Sequence, residues 1–209
     1  MNILKILLWK DLKNAGFAIW PALLLGVPLL LILQFTAGES SLSFRTALWV
    51  SYFFSSVSLL YRSYGQEFRS RNFQIYSAFQ ISKLAIFTSQ ALVHAASLCL
   101  VGLVYFGLSI LFWNPIDIHW SACLTAILLV SLCLAPLGTC LGLMLQLERE
   151  FLFSLFFLPF ASPLVLGAYE LSGDQGELWG GLLLAFFLIG SFLSAAFFEF
   201  FFDELSQTH

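Results

Sequence analysis

Apolar runs and their interruptions divide the chain. Stretches without any Asp, Glu, Lys or Arg cover residues 14–38, 46–61, 84–116, 118–147, 151–169 and 178–198. A membrane-crossing helix needs roughly 17–25 residues at about 1.5 Å rise each. Five of the runs reach that length outright, and the second does so when extended back to Leu42 with Arg45 snorkelling to the surface. The third and fourth are parted by "WNPIDIHW", 113–120, where Asn-Pro, Asp117, His119 and two tryptophans mark a tight turn at the membrane surface. The pattern predicts an all-α polytopic membrane protein. Its six transmembrane helices fall at about 14–38, 42–61, 84–112, 121–147, 151–169 and 178–198, in one domain over 1–209 with a loop at 62–83.

Composition narrows the class. The chain is 60% hydrophobic and 10% charged, with mean hydropathy +0.91, whereas a soluble domain is about 25% charged. Too little polar surface exists to cover a water-facing globule. The net charge of −3 gives no basic surface for nucleic acid. The positions of the basic residues say more. Lys5, Lys10 and Lys13 precede the first span, Arg62, Arg69, Arg71 and Lys83 follow the second, and Arg149 follows the fourth, leaving Arg45 alone on the other side. The positive-inside rule then puts both termini in the cytoplasm. The first apolar run is too long for a signal-peptide core, so no cleaved leader is expected. Cys99, Cys123, Cys133 and Cys140 all fall inside spans with no metal-ligand spacing, as small packing residues do.

Two polar stretches remain. "MNILKILLWKDLKN" puts Leu4, Leu8 and Leu12 on one stripe with Lys10 and Lys13 roughly opposite, and Trp9 suits the headgroup level. It predicts an amino-terminal interfacial helix, although Lys5 and Asp11 interrupt the stripe. The loop "YRSYGQEFRSRNFQIYSAFQISK", 61–83, gathers Tyr64, Phe68, Ile75 and Phe79 in one helical sector, with Gln66, Arg69, Ser70, Ser77 and Gln80 opposite. Arg71 and Phe73 depart from the pattern. Such a stretch lies either on the lipid surface or under a partner, and its aromatic-plus-arginine make-up favours a docked partner.

Within the spans, Gly138 and Gly142 form a GxxxG pair after Pro136. The pair suits close helix approach, more simply a packing groove than a dimer contact. "LFFLPFASPLVLGAYE", 155–170, carries Pro159 and Pro163 four residues apart. Each proline removes an N–H, freeing the carbonyls of Leu155 and Pro159. An unsatisfied carbonyl in hydrocarbon costs several kcal/mol. The face of Pro159, Ser162 and Pro163 is therefore expected to meet another helix, a hydroxyl or water, at a seam that can flex. A static kink that only shapes packing is the alternative. Glu170 and Glu199 lie close enough to span ends to be solvated, and His94 reads as a packing or hydrogen-bonding histidine. No GxxxxGK[ST] loop for ATP occurs, and the spans hold no paired carboxylates, metal set or nucleophile–base pair, so no catalytic role is expected.

The number of spans, the basic loop after the second, and "EREFLFSLFFLPFASPLVLG", 148–167, with its L-P-x-x-x-P at Leu158, Pro159 and Pro163, resemble the CcmB family. CcmB is the membrane (permease) subunit of the cytochrome c maturation ABC transporter, or haem exporter protein B, within the wider ABC-2 permease class. The similarity runs along most of the chain and is weak in the first span. The loop departs from the family, with Gln80 in "AFQIS" standing where a proline is common. The resemblance implies a bacterial inner-membrane protein that pairs with a separate CcmA-like ATPase. The loop would act as a coupling helix through Glu67, Phe68, Arg69, Arg71 and Phe73. CcmC-, CcmD- and CcmE-like proteins would complete the system. ATP would be used through the partner and no cofactor held by this chain itself. Haem would be the cargo, or would leave on a released chaperone. His119 between its tryptophans does not by itself make a haem site. An ABC-2 permease exporting a lipid, drug or glycan, and a scaffolding anchor, are the alternatives.

Overall fold

The computed structural model describes residues 3–37, 41–69, 76, 79–113, 119–144, 150–173 and 176–207. They form an all-helical bundle of α1 (Ile3–Ala37), α2 (Ser41–Arg69), α3 (Lys83–Trp113), α4 (Trp120–Met144), α5 (Glu150–Leu171) and α6 (Gly176–Gln207). Five of these are long and apolar enough to cross a membrane, the architecture of a multi-pass membrane protein. The charge-free runs located the helices. Their ends follow local chemistry. The carbonyls of Ser82 and His119 accept the N–H of Ile86 and Cys123 at 3.1 and 3.0 Å, closing the first turns of α3 and α4.

α2 is the one helix outside that apolar group. At 29 residues it is about 43 Å long, so length is no obstacle. Its difference is a polar face, with Ser51, Ser55, Ser56, Ser58 and Ser63 all buried. α2 packs against α1, α3, α4 and α5, and α4 packs against α2, α3, α5 and α6. These two helices form the middle of the bundle. Leu48, Trp49, Tyr52, Leu59, Leu60, Ile127, Val130 and Leu134 fill the core between them. The outer surfaces of α1 and α6 carry exposed Trp9, Trp20, Phe35, Leu188, Phe192 and Phe200. Apolar area of that size faces lipid or a partner, not water.

The amino-terminal stretch is not a separate interfacial helix. α1 runs unbroken from Ile3 to Ala37 through the expected boundary, with Pro21 and Pro28 inside it. Leu4 and Leu12 of the expected stripe point outward, while Leu7 and Asp11 point into the bundle. The inward placement of Asp11 is possible because neighbouring helices supply its partners. A second small core of Leu7, Tyr76, Ile86, Phe87, Leu143, Phe198 and Phe202 gathers at this end.

Candidate functional site: a polar seam through the bundle

Polar side chains inside the bundle are costly unless neighbouring helices satisfy them. Here they meet in three tiers. The first sits at the connection between α2 and α3. Lys10 Nζ donates to the Tyr76 hydroxyl and stands 4.6 Å from the centre of its ring. Lys10 also pairs with Asp11 at 3.0 Å. The buried Asp11 accepts the Ser89 hydroxyl on Oδ2 at 2.6 Å, joining α1 to α3. Ile81 N–H donates to the Tyr76 carbonyl at 3.1 Å. Tyr76 is itself buried, so this part of the connection is held against α1.

The second tier joins α2, α3 and α4. Tyr64 donates to Gln90 Oε1 at 2.9 Å, and its ring centre lies 5.5 Å from that of His94. His94 Nε2 is 2.8 Å from Ser63 Oγ and Nδ1 is 3.1 Å from Thr139 Oγ1. The Thr139 hydroxyl already donates to the Ala135 carbonyl at 2.7 Å. It therefore accepts from His94 Nδ1–H, and Nε2 on the other side of the ring meets the Ser63 hydroxyl. Asp11, Asn14, Ser63, Tyr64, Gln90 and His94 enclose a cavity of about 10 Å³. That is room for about one water. Gln90 is only 3% exposed, and its Nε2 has no hydrogen-bond partner among the described residues.

The third tier lies deeper along α2. Tyr52 and Ser131 are 2.8 Å apart. Ser55 and Tyr105 hydroxyls are 2.7 Å apart, and both reach the Ala22 carbonyl at 3.0 Å. Gly26 makes this possible, since a Cβ there would overlap both hydroxyl oxygens. Trp49 Nε1 donates to Ser172 Oγ at 3.1 Å, tying α2 to the end of α5.

These contacts include a serine beside a histidine, Ser63 Oγ next to His94 Nε2, buried between α2 and α3. They are hydrogen bonds between helices plus one ion pair. Such an arrangement fixes the helices relative to one another.

The residues singled out from the sequence fall elsewhere. Glu67, Phe68 and Arg69 are in the last turn of α2, with side chains outside the described residues, as are Arg71 and Phe73 altogether. The helical sector expected over 61–83 is not one surface. Tyr64 is buried in the bundle, whereas Phe79 is 76% exposed. Gln80 has φ of 50°. Proline, whose ring fixes φ near −65°, cannot stand there in this conformation. Pro159, Ser162 and Pro163 are exposed on the outside of α5, so the chain does not bury this face in its own interior. The inward face of that helix is Phe153, Phe157, Ala161, Leu164 and Ala168.

Gly138 and Gly142 are occupied within the chain. A Cβ on Gly138 would lie 2.5 Å from a Leu60 methyl, and one on Gly142 would lie 2.5 Å from the Tyr64 ring. The groove receives α2, as small-residue grooves do. Glu199 is exposed and Glu170 half-buried. The cysteines are free thiols, and Cys133 donates to the Leu183 carbonyl at 3.3 Å. Among the described residues no group of three His, Cys, Asp or Glu side chains could hold a metal ion.

The sequence reading missed Asp11, Tyr76, Ser89 and Gln90 as a set. Asp11 breaking an apolar stripe was the available signal, but Ser89, the hydroxyl that donates to it, lies 78 residues away. Comparison with family models, with curated proteins and with solved structures finds no match to this chain.

Proposed function

We propose that this chain is the membrane subunit of an ABC transporter acting in cytochrome c maturation. It would lie in the bacterial inner membrane with six spans and both termini cytoplasmic. ATP hydrolysis in a separate CcmA-like subunit is coupled to haem export or to release of a haem-loaded chaperone, with CcmC-, CcmD- and CcmE-like proteins as further partners. The observation that carries the coupling part of this reading is the anchorage of Tyr76 on Lys10, with the polar seam behind it. A partner gripping Glu67, Phe68, Arg69, Arg71 and Phe73 would pull on a connection tied to α1. Lys10 leads to Asp11, and Asp11 to Ser89 on α3. The haem part rests on the sequence resemblance alone, which is best at "EREFLFSLFFLPFASPLVLG".

The test is co-purification from gentle detergent. The wild-type chain is expected to bring an ATPase subunit with it. Arg69→Glu with Arg71→Glu is expected to release that subunit while insertion is unchanged. Tyr76→Phe is expected to keep the subunit but lower ATP-dependent cytochrome assembly. An ATPase bound as well by the charge-reversed protein, or never bound at all, refutes the coupling assignment. Normal cytochrome assembly in a strain lacking this chain refutes the haem assignment and leaves export of another substrate by the same kind of permease.

A further inference from the structure

We infer that a groove between α2 and α5 binds one anionic phospholipid, with Arg45 at the phosphate end. The groove has a volume of about 420 Å³ and is lined by Thr46, Trp49, Val50, Phe53 and Phe54 of α2. Facing them are Leu158, Ser162, Val165, Leu166 and Tyr169 of α5. On each helix these positions recur at three- and four-residue steps, so each contributes one continuous stripe. The walls are nearly all apolar, and Phe54, Leu158 and Leu166 are open to the outside.

Length decides what fits. From Thr46 to Phe54 the wall runs about 12 Å, and from Leu158 to Tyr169 about 16 Å, at about 1.5 Å per residue. Half of a hydrocarbon core about 30 Å thick is about 15 Å. The trough therefore has the depth of one leaflet, which is the reach of one lipid's acyl region.

Charge decides which lipid. Tyr169 closes one end, and the Arg45 guanidinium stands 5.1 Å from the centre of its ring. Among the described residues no carboxylate lies within ion-pairing distance of Arg45. Its planar donor fork matches phosphate oxygens. Basic residues between membrane helices recognise lipid head groups in this way. The groove also runs beside the exposed Pro159 and Pro163, where lipid would cover the surface next to the two prolines. This inference does not depend on the transporter assignment.

The test uses the full chain in vesicles of equal phosphatidylglycerol and phosphatidylcholine, extracted and weighed by native mass spectrometry. Phosphatidylglycerol is expected to be retained about five-fold over phosphatidylcholine, the preference of one basic side chain. Arg45→Gln is expected to make the two equal. Val50→Trp fills the trough from a half-buried position on its wall and is expected to abolish retention of both. Leu193→Trp, on the exposed face of α6, is the control and is expected to behave as the wild type. Equal retention by the wild type, an unchanged preference in Arg45→Gln, or undiminished retention in Val50→Trp each overturns the proposal. So does a lipid-free dimer, which would mean that a second copy fills the groove.

Discussion

Alanine placed at Gly142 should destabilise the bundle, whereas alanine at Gly107 should not. A Cβ at Gly142 would lie 2.5 Å from two atoms near the root of the Tyr64 ring and 2.8 Å from a third. A ring held at its root cannot yield by turning its tip, so α2 and α4 must move apart or Tyr64 must leave its rotamer. Overpacking of this kind costs about 1–3 kcal/mol. Displacing Tyr64 also breaks its 2.9 Å bond to Gln90, and such bonds between membrane helices average about 0.6 kcal/mol. The better helix propensity of alanine returns about 0.5–1 kcal/mol. The expected net loss is about 1–3 kcal/mol. The three atoms nearest to a Cβ at Gly138 are the terminal methyls and the branch carbon of Leu60, which can rotate away, so its alanine variant should lose less than about 1 kcal/mol. Gly107 faces open space, and its alanine variant should gain up to about 1 kcal/mol. Reversible unfolding in bicelles titrated with sodium dodecyl sulfate measures all three. Equal stability at the three sites, or a Gly138 variant weaker than the Gly142 variant, refutes the helix approach described here.

Gly26→Ala should separate the Ser55 and Tyr105 hydroxyls from the Ala22 carbonyl. A loss of about 1–3 kcal/mol is expected in the same unfolding assay, and a neutral result would contradict the junction. A double-mutant cycle between Ser63→Ala and His94→Phe should show coupling near 0.6 kcal/mol and no more than about 1.7 kcal/mol, with zero coupling counting against the 2.8 Å contact. Trp49→Phe should keep the core shape but lose the bond to Ser172, loosening the end of α5, measurable as faster amide exchange at 168–173. Pro159→Ala with Pro163→Ala should raise thermal stability in detergent, because two helix donors are restored on an exposed face. A lowered melting temperature would mean that the prolines themselves are needed for packing.

Where the sequence was most legible, the signal was local. A charge-free run is a property of consecutive residues, and 84–112 and 121–147 reappear as Lys83–Trp113 and Trp120–Met144. The sixth run reappears as Gly176–Gln207, extended past Glu199, since an exposed carboxylate near a helix end does not stop a helix. Less legible was anything that depends on which face meets which neighbour. Two freed carbonyls argued for burial of Pro159 and Pro163, but Phe153, Phe157 and Leu164 compete for the inward side of the same helix and fill it. Asp11 looked like a flaw in an apolar stripe because Lys10 and Ser89, which satisfy it, have no sequence pattern in common with it. The GxxxG pair was visible, but that its occupant is Leu60 and Tyr64 of the same chain could only come from three-dimensional packing.

The polar face of α2 also bears on how the protein is made. A segment that buries Ser51, Ser55, Ser58 and Ser63 only after its neighbours arrive partitions poorly from the translocon as a lone helix. In a six-span arrangement it would enter the bilayer alongside α1 and be completed once α3 emerges from the ribosome. Truncation after residue 82 should therefore leave a chain that integrates its first helix and fails to retain its second, a vulnerability fixed by the order of synthesis.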